Sequence, residues 1–97
     1  MPKAYWIANR MTIKDTEKLK AYAELAGPAI AAHGGKFLAR GGEVVSLEGF
    51  PQSRVVVTEF PSLEAAVGCY NSDAYQAAHA KLDGGVDRDI CVVEALE

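Results

Sequence analysis

Residues 54–62, RVVVTEFPS, contain the clearest strand in the sequence and the start of the helix that follows it. The three consecutive valines are β-branched, and such residues favour strands because their side chains pack well on a pleated surface. Pro61 then interrupts the strand, and Ser62 is a preferred helix N-cap. The stretch therefore predicts a strand over residues 54–60, followed by a helix whose apolar side is formed by Leu63, Ala66, Val67 and Tyr70.

Toward the N-terminus, residues 4–11 are rich in strand formers and predict a first strand. Asp15 is a good cap for the helix that follows, in which apolar residues recur with a helical period at Leu19, Tyr22, Ala23, Ala26 and Ile30. We expect Gly27-Pro28 to kink or interrupt this helix, because proline removes one hydrogen-bond donor. Residues 36–40 predict a second strand, and residues 43–48 extend it or bend away after two glycines.

Toward the C-terminus, Ser72 can cap a further helical piece with Tyr75, Ala78, His79 and Leu82 on its inner face. Residues 89–95 predict the last strand. The order is β-α-β-β-α-β with a broken second helix, which is typical of an α+β, ferredoxin-like fold with a four-stranded antiparallel sheet and helices on one face. We expect residues 1–97 to form a single domain.

Composition restricts the class of protein. Apolar residues make up 49% of the chain and charged residues 24%, as in globular domains. The net charge is −3 and the lysines and arginines are scattered, so a nucleic-acid surface is not expected. Since no apolar run approaches the ~20 residues of a membrane helix and residues 1–10 lack the apolar core of a signal peptide, we expect a cytoplasmic protein with no membrane partner.

Motifs for metals and cofactors are missing from the sequence. Cys69 and Cys91 are too few for a disulfide framework, and each lies among apolar neighbours, where cysteine behaves as a small hydrophobe. There is no CxxC or Cys/His cluster, and no Gly-rich nucleotide loop, GxSxG or HExxH motif. We therefore expect inert, reduced thiols, no metal and no cofactor.

Both faces of the predicted sheet are apolar. The third strand carries Val55 and Val57 on one face and Val56 and Phe60 on the other, and the first and last strands repeat this pattern. The helices can cover only one face, and soluble monomers seldom expose apolar patches beyond a few hundred Å². The pattern predicts a homodimer in which the sheet of a second copy covers the remaining face.

The chain also resembles one bacterial family in blocks spread over its whole length. The blocks are residues 5–7 (YWI), 37–42 (FLARGG), 54–57 (RVVV), 59–62 (EFPS), 69–72 (CYNS) with Tyr75, and 92–94 (VVE). They resemble the family described as domain of unknown function 1330, which is similar to dimeric α/β-barrel proteins such as cofactor-independent monooxygenases, muconolactone isomerases and haem-handling enzymes. The resemblance implies a dimeric α/β barrel, but a fold does not imply an activity. Pro28 and the last four residues, EALE, depart from the family pattern.

Arg40 and Glu59 are the charged site candidates. Arg40 ends a strand just before two glycines, and its planar guanidinium suits a carboxylate ligand that approaches the backbone closely. Alternatively, Arg40 forms a structural ion pair with Glu59 or Glu43. Glu59 has the parity of the apolar Val55 and Val57, so its carboxylate is either paired with an arginine or able to carry a proton.

The other candidates are aromatic or lie near the break between the last two helical pieces. Tyr70, Asn71 and Tyr75 surround that break, where free backbone amides suit a small anion; alternatively they only cap and pack. Trp6 either packs in the core or interface or lines a pocket. His79 is either a core histidine with satisfied hydrogen bonds or a catalytic base.

These residues support two functions from different classes. The first is a binding protein that holds a small, carboxylate-bearing organic ligand between sheet and helices, with Arg40 on the anion and with Trp6, Tyr70, Asn71 and Tyr75 around it. The second is a cofactor-independent isomerase or monooxygenase acting on a small aromatic or lactone, in which Glu59 or His79 moves a proton. The absence of a recognisable catalytic cluster favours the first, and a purely structural role would leave no cavity.

Overall fold

Residues 2–97, which the computed structural model describes, form four strands and three helices. In chain order these are β1 (Ala4–Ile13), α1 (Thr16–Ala32), β2 (Lys36–Arg40), β3 (Val56–Phe60), α2 (Leu63–Tyr70), α3 (Asp73–Ala80) and β4 (Val86–Glu94). The strands make one antiparallel sheet in the order β2-β3-β1-β4. The predicted α+β, ferredoxin-like fold is confirmed. None of the helices within residues 2–97 is long and apolar enough to cross a membrane.

The three predicted helix caps are confirmed. Asp15, Ser62 and Ser72 each accept a hydrogen bond from a backbone N–H in the first turn of α1, α2 and α3, at 3.0, 3.0 and 3.2 Å. Caps of this kind satisfy N–H groups that the helix itself cannot pair, and each stabilises a helix by about 1 kcal/mol. Local sequence therefore fixes where each helix begins.

Helix α1 is continuous through Gly27 and Pro28, so the predicted interruption is wrong. Pro28 cannot donate to the carbonyl of Glu24, but both residues are exposed, and that carbonyl can bond to water. A residue before proline is normally driven out of the helical region by a clash with its Cβ. Gly27 has no Cβ, so this clash does not arise and the helix continues through Pro28.

Strands β1 and β3 differ from their predicted bounds by two residues, since β1 ends at Ile13 and β3 starts at Val56; the last strand and the extension of the second differ by more. Residues 43–48 are not a strand but part of the irregular connection from residue 41 to residue 55. They follow β2, which lies at the edge of the sheet, so no neighbouring strand is available to pair with them. Strand β4 starts at Val86, three residues early, because Val86 pairs with Ile13 of β1 despite the charges that follow it.

All three helices pack against one face of the sheet. Trp6 lies at the centre of this core, with its ring stacked on Phe60 at 5.6 Å and edge-on to Tyr75 at 5.1 Å between ring centres. The same layer contains Ala66 and Cys69 of α2, both fully buried. Such aromatic contacts add to the stabilisation that burial alone provides.

The opposite face of the sheet, here called the open face, carries Tyr5, Ile7, Val57, Cys91 and Val93. No helix within residues 2–97 covers it: Val93 is 49% exposed and Cys91 is exposed as well. The prediction of two apolar sheet faces is thus confirmed. Cys69 is buried as expected, whereas Cys91 is exposed in residues 2–97.

Candidate functional site

A cavity of about 80 Å³ lies between α1 and the sheet. Its apolar wall includes Trp6, Met11, Ala26, Gly27, Ile30 and Phe37. For comparison, an engineered cavity of about 150 Å³ is large enough to bind benzene. The cavity is about half as large, so a ligand held there must be small or extend beyond its walls.

Three of the four arginines in the sequence line this cavity: Arg40 at the end of β2, Arg54 just before β3, and Arg88 on β4. The fourth, Arg10, is ion-paired with Asp89 at 3.6 Å. Within residues 2–97 none of the three cavity arginines lies within 4.0 Å of a carboxylate oxygen, and no Asp or Glu lines the cavity. Because guanidinium keeps its proton at any physiological pH, the cavity is positively charged in a chain of net charge −3.

Within residues 2–97, the surroundings of Arg40 do not include the carboxylate partner predicted for it as a structural residue. Its guanidinium lies 4.4 Å from the centre of the Phe37 ring, and no ion pair joins it to Glu59 or Glu43 in the described part of the chain. Glu59 lies on the open face, opposite the cavity, where it pairs with Lys3 at 3.4 Å. The predicted arginine partner of Glu59 is therefore wrong, since strand register sends the two side chains to opposite faces of the sheet.

The first of the two glycines after Arg40 lies close to the Arg54 side chain. Gly41 has a φ of +79°, and a Cβ built on it would lie only 2.9 Å from Nη1 of Arg54. The Arg54 guanidinium thus approaches this backbone closely, and a close approach of a ligand stays a prediction. Gly42 has nothing within 4 Å of its Cβ position. Gly41 therefore allows a side chain 13 residues later to reach the cavity beside Arg40.

A chain of three hydrogen-bonding side chains crosses the other side of the cavity. Nη2 of Arg88 donates to the Tyr75 hydroxyl at 3.0 Å, and the Tyr75 and Tyr22 hydroxyls are 2.7 Å apart. The Arg88 guanidinium also lies 4.7 Å from the centre of the Tyr22 ring. Burial, and to a smaller extent the neighbouring Tyr22, raise the pKa of Tyr75 well above its usual range, so this hydroxyl keeps its proton.

Two predicted ligand-binding residues meet at the cavity. Arg40 and Trp6 line it directly, and Tyr75 is fully buried just behind it, in contact with Tyr22 and Arg88. The cavity and its immediate surroundings therefore combine three kinds of group that can bind a ligand: charged arginines, an aromatic wall and hydroxyl groups.

The remaining predicted residues lie elsewhere. Tyr70 and His79 line a separate, open groove of about 820 Å³ between β4 and helices α2 and α3, which shares Trp6 and Arg88 with the lining of the cavity. Asn71 is exposed at the C-cap of α2. His79 was predicted on the inner face of α3 but is exposed, because Tyr75 and Ala78 occupy that face and the imidazole is left at its rim.

Sequence reasoning missed Arg54, Arg88 and Tyr22 as site residues. Arg88 had a readable signal, because it shares the parity of the apolar Ile90 and Val92 and so points into the core side of the sheet. It was overlooked because the last strand was predicted to start one residue after it. Arg54 shares the parity of Val56 and Phe60 in the same way, and Tyr22 lies on the apolar face of the first predicted helix; both were read as regular elements and not as site residues.

The whole chain is similar to proteins of one fold. A family model described as "Domain of unknown function (DUF1330)" matches residues 3–96, and no curated protein matches. A protein of unknown function from Rhodopseudomonas palustris is 21% identical with a TM-score of 0.75, over 99% of this chain and 84% of that one. SnoaB, a cofactor-independent oxygenase from Streptomyces nogalater, is 9% identical with a TM-score of 0.68, over 100% and 96%. A dimeric ferredoxin-like protein of unknown function from Thermobifida fusca is 16% identical with a TM-score of 0.65, over 97% and 92%.

Proposed function

We propose that this chain, which belongs to the DUF1330 family, binds a small organic carboxylate in the cavity between α1 and the sheet. The observation that carries the proposal is the set of three arginines around an apolar cavity, with no carboxylate partner in residues 2–97. Arg54 and Arg88 are half-buried, and a buried charge is unfavourable unless a partner compensates it, whereas Arg40 is exposed at the cavity wall. A ligand with an anionic head and an apolar body supplies both requirements.

Arg40 and Arg54 are the groups that hold the carboxylate in this proposal. They lie on the same side of the cavity, since Arg40 pairs with Val56 across the sheet and Arg54 precedes Val56 by two residues. Guanidinium binds carboxylate through two parallel hydrogen bonds, and such charge-assisted bonds are stronger than neutral ones. Trp6 forms the apolar wall. Tyr70 lies beyond Trp6 and contacts only a ligand that extends into the groove, and a role for the exposed Asn71 remains a prediction.

Titration calorimetry with straight-chain carboxylates of three to five carbons tests the proposal. We expect Arg40→Ala and Arg54→Ala to weaken binding roughly ten- to hundredfold, the value of a hydrogen bond to a charged group. Arg10→Ala is the matched control, because Arg10 lies outside the cavity and is paired with Asp89. Carboxamides of the same length should bind much more weakly than the acids. Equal affinity for acid and amide, or equal loss in all three variants, would refute the proposal.

We also propose that two copies pair through the open face. Support comes from its apolar side chains, which lack cover in residues 2–97, and from the dimeric state of the Thermobifida fusca relative. Burying such a face removes apolar surface from water at roughly 25 cal/mol per Å². The cavity lies on the opposite side of the sheet, so each copy would keep its own site. Light scattering measures the mass directly.

A cofactor-independent isomerase or monooxygenase is the second candidate, favoured by the likeness to SnoaB. Neither proposed proton carrier lines the cavity: Glu59 lies on the open face and His79 in the groove. Of the two tyrosines at this side of the cavity, Tyr75 has a raised pKa and so is no base at neutral pH. Oxygen uptake or substrate turnover that falls in Glu59→Gln or His79→Ala, with binding intact, would favour the enzyme over the binding protein.

A further inference from the structure

The hydrogen-bonded chain that runs from the Arg88 guanidinium through the Tyr75 hydroxyl to the Tyr22 hydroxyl has no role in holding a single carboxylate at Arg40 and Arg54. It lies on the other side of the cavity. Arg88 is on β4, whereas Arg54 immediately precedes β3, and β1 separates these two strands. Since neighbouring strands are about 4.8 Å apart, the two arginines start from backbones roughly 10 Å apart. The cavity thus has polar, hydrogen-donating groups at both ends.

The direction of the hydrogen bonds follows from satisfaction of buried groups. The Tyr75 oxygen accepts from Arg88, which has no lone pair and can only donate. Tyr75 is fully buried, and the Tyr22 oxygen is the one acceptor within reach of its hydroxyl hydrogen in residues 2–97. Tyr75 therefore donates to Tyr22. Within residues 2–97 the hydroxyl hydrogen of Tyr22 is then left without an acceptor, on a residue that lines the cavity.

We infer that the Tyr22 hydroxyl is a specificity-determining hydrogen-bond donor of this cavity, and that the ligand is a small acid with a second acceptor oxygen, such as a dicarboxylate, at the end opposite its first carboxylate. The inference rests on the proposed function and adds the second end of the ligand. Tyr75 acts as a positioning residue, because it contacts Tyr22 and not the cavity. Arg88 supplies charge to the same end and polarises the chain of hydroxyls.

Two pairs of acids with equal chain length test the inference by calorimetry: succinate against butyrate, and glutarate against pentanoate. The wild-type protein should prefer each diacid roughly tenfold or more, the value of a hydrogen bond to a charged group. Tyr22→Phe should reduce the preference for the diacids and change the monoacid affinities less than twofold. Tyr5→Phe, on the open face, removes a hydroxyl of the same kind and should change neither.

The role of Tyr75 is tested by the ratio of diacid affinity to monoacid affinity. A merely structural role of Tyr75 would not change this ratio. Tyr75→Phe should reduce the preference for diacids while leaving monoacid binding intact. Because Tyr75 is fully buried, Arg88→Met provides a second way to break the chain from its half-buried end. It should lower the diacid preference as well. Thermal melting of each variant shows that the affinity is measured on folded protein.

The outcomes separate the two proposals. If the wild-type protein binds the acids but Tyr22→Phe weakens mono- and diacids alike, or changes neither, the inference about Tyr22 is overturned and the arginine site stands. If no acid binds the wild-type protein and Arg40→Ala behaves identically, the proposed function is overturned, and the inference falls with it.

Discussion

Replacement of Gly41 by alanine tests how Arg54 reaches the cavity. Gly41 has a φ of +79°, and its new Cβ would lie 2.9 Å from Nη1 of Arg54, closer than real Cβ atoms approach another heavy atom. The guanidinium must therefore move away from its position beside Arg40. Gly42→Ala is the matched control, because nothing lies within 4 Å of the Cβ at Gly42 and its φ is not positive.

The expected magnitudes follow from these two observations. The left-handed conformation costs an alanine roughly 1–2 kcal/mol, and the loss of glycine's freedom in the unfolded chain returns roughly 0.4–1 kcal/mol. Gly41→Ala should thus lower the free energy of unfolding by about 1 kcal/mol, or the melting temperature by roughly 4–8 °C for a domain of this size. Displacing Arg54 should also weaken butyrate binding by about tenfold. Gly42→Ala should leave affinity unchanged and stability equal or slightly higher.

Urea denaturation and butyrate calorimetry on both variants, at one protein concentration, check these values. Equal stability of Gly41→Ala and Gly42→Ala would show that position 41 is not strained. Equal affinity, with Gly41→Ala folded, would show that the Arg54 guanidinium does not hold the carboxylate.

Three other predictions concern the fold. Pro28→Ala should raise the free energy of unfolding by about 2 kcal/mol, because it restores a helix hydrogen bond. Pro51→Ala, in an exposed loop, is the control and should lower the free energy of unfolding by up to about 1 kcal/mol. Urea denaturation that ranks the two variants in the opposite order contradicts this prediction. Burial raises the pKa of the Cys69 thiol to about 11, so the unfolded chain loses this proton first and the free energy of unfolding should fall from about pH 9 to about pH 11. Cys69→Ala should remove that part of the slope in denaturation series across this range, and an unchanged slope would assign it to other groups. Val93→Asp on the open face should lower the mass measured by light scattering from twice 10.4 kDa to 10.4 kDa. A mass of 10.4 kDa for the wild-type protein would exclude the dimer.

The elements of this fold could be predicted from the sequence because each depends on a local pattern. The cap residues Asp15, Ser62 and Ser72 marked the helix starts, and β-branched runs marked the strands. The predictions failed where a distant partner decides the outcome. Residues 43–48 have strand-like composition but no strand to pair with, and Val86 is a poor strand start until Ile13 pairs with it.

The site was predictable only in part for the same reason. Arg40 and Trp6 could be singled out, one by its place before two glycines and one by its strand position, and both line the cavity. That Arg54 and Arg88 join them depends on the sheet order, which brings positions 14 and 48 residues from Arg40 to a single cavity. Glu59 lies outside the cavity, because successive residues of a strand point to opposite faces of the sheet and Glu59 points to the open face.

The position of β1 in the sheet has a consequence for synthesis on the ribosome. β1 is made first, yet it is paired on one side by β3 and on the other by β4, with residues 4–9 facing residues 89–94. After β3 is complete, 34 more residues must be added before β4 ends, which takes roughly 2–7 s at 5–20 residues per second. During this interval β1 presents an unpaired edge, and such edges pair with other chains. Nascent copies on one messenger are therefore most vulnerable to mutual aggregation just before their last strand emerges.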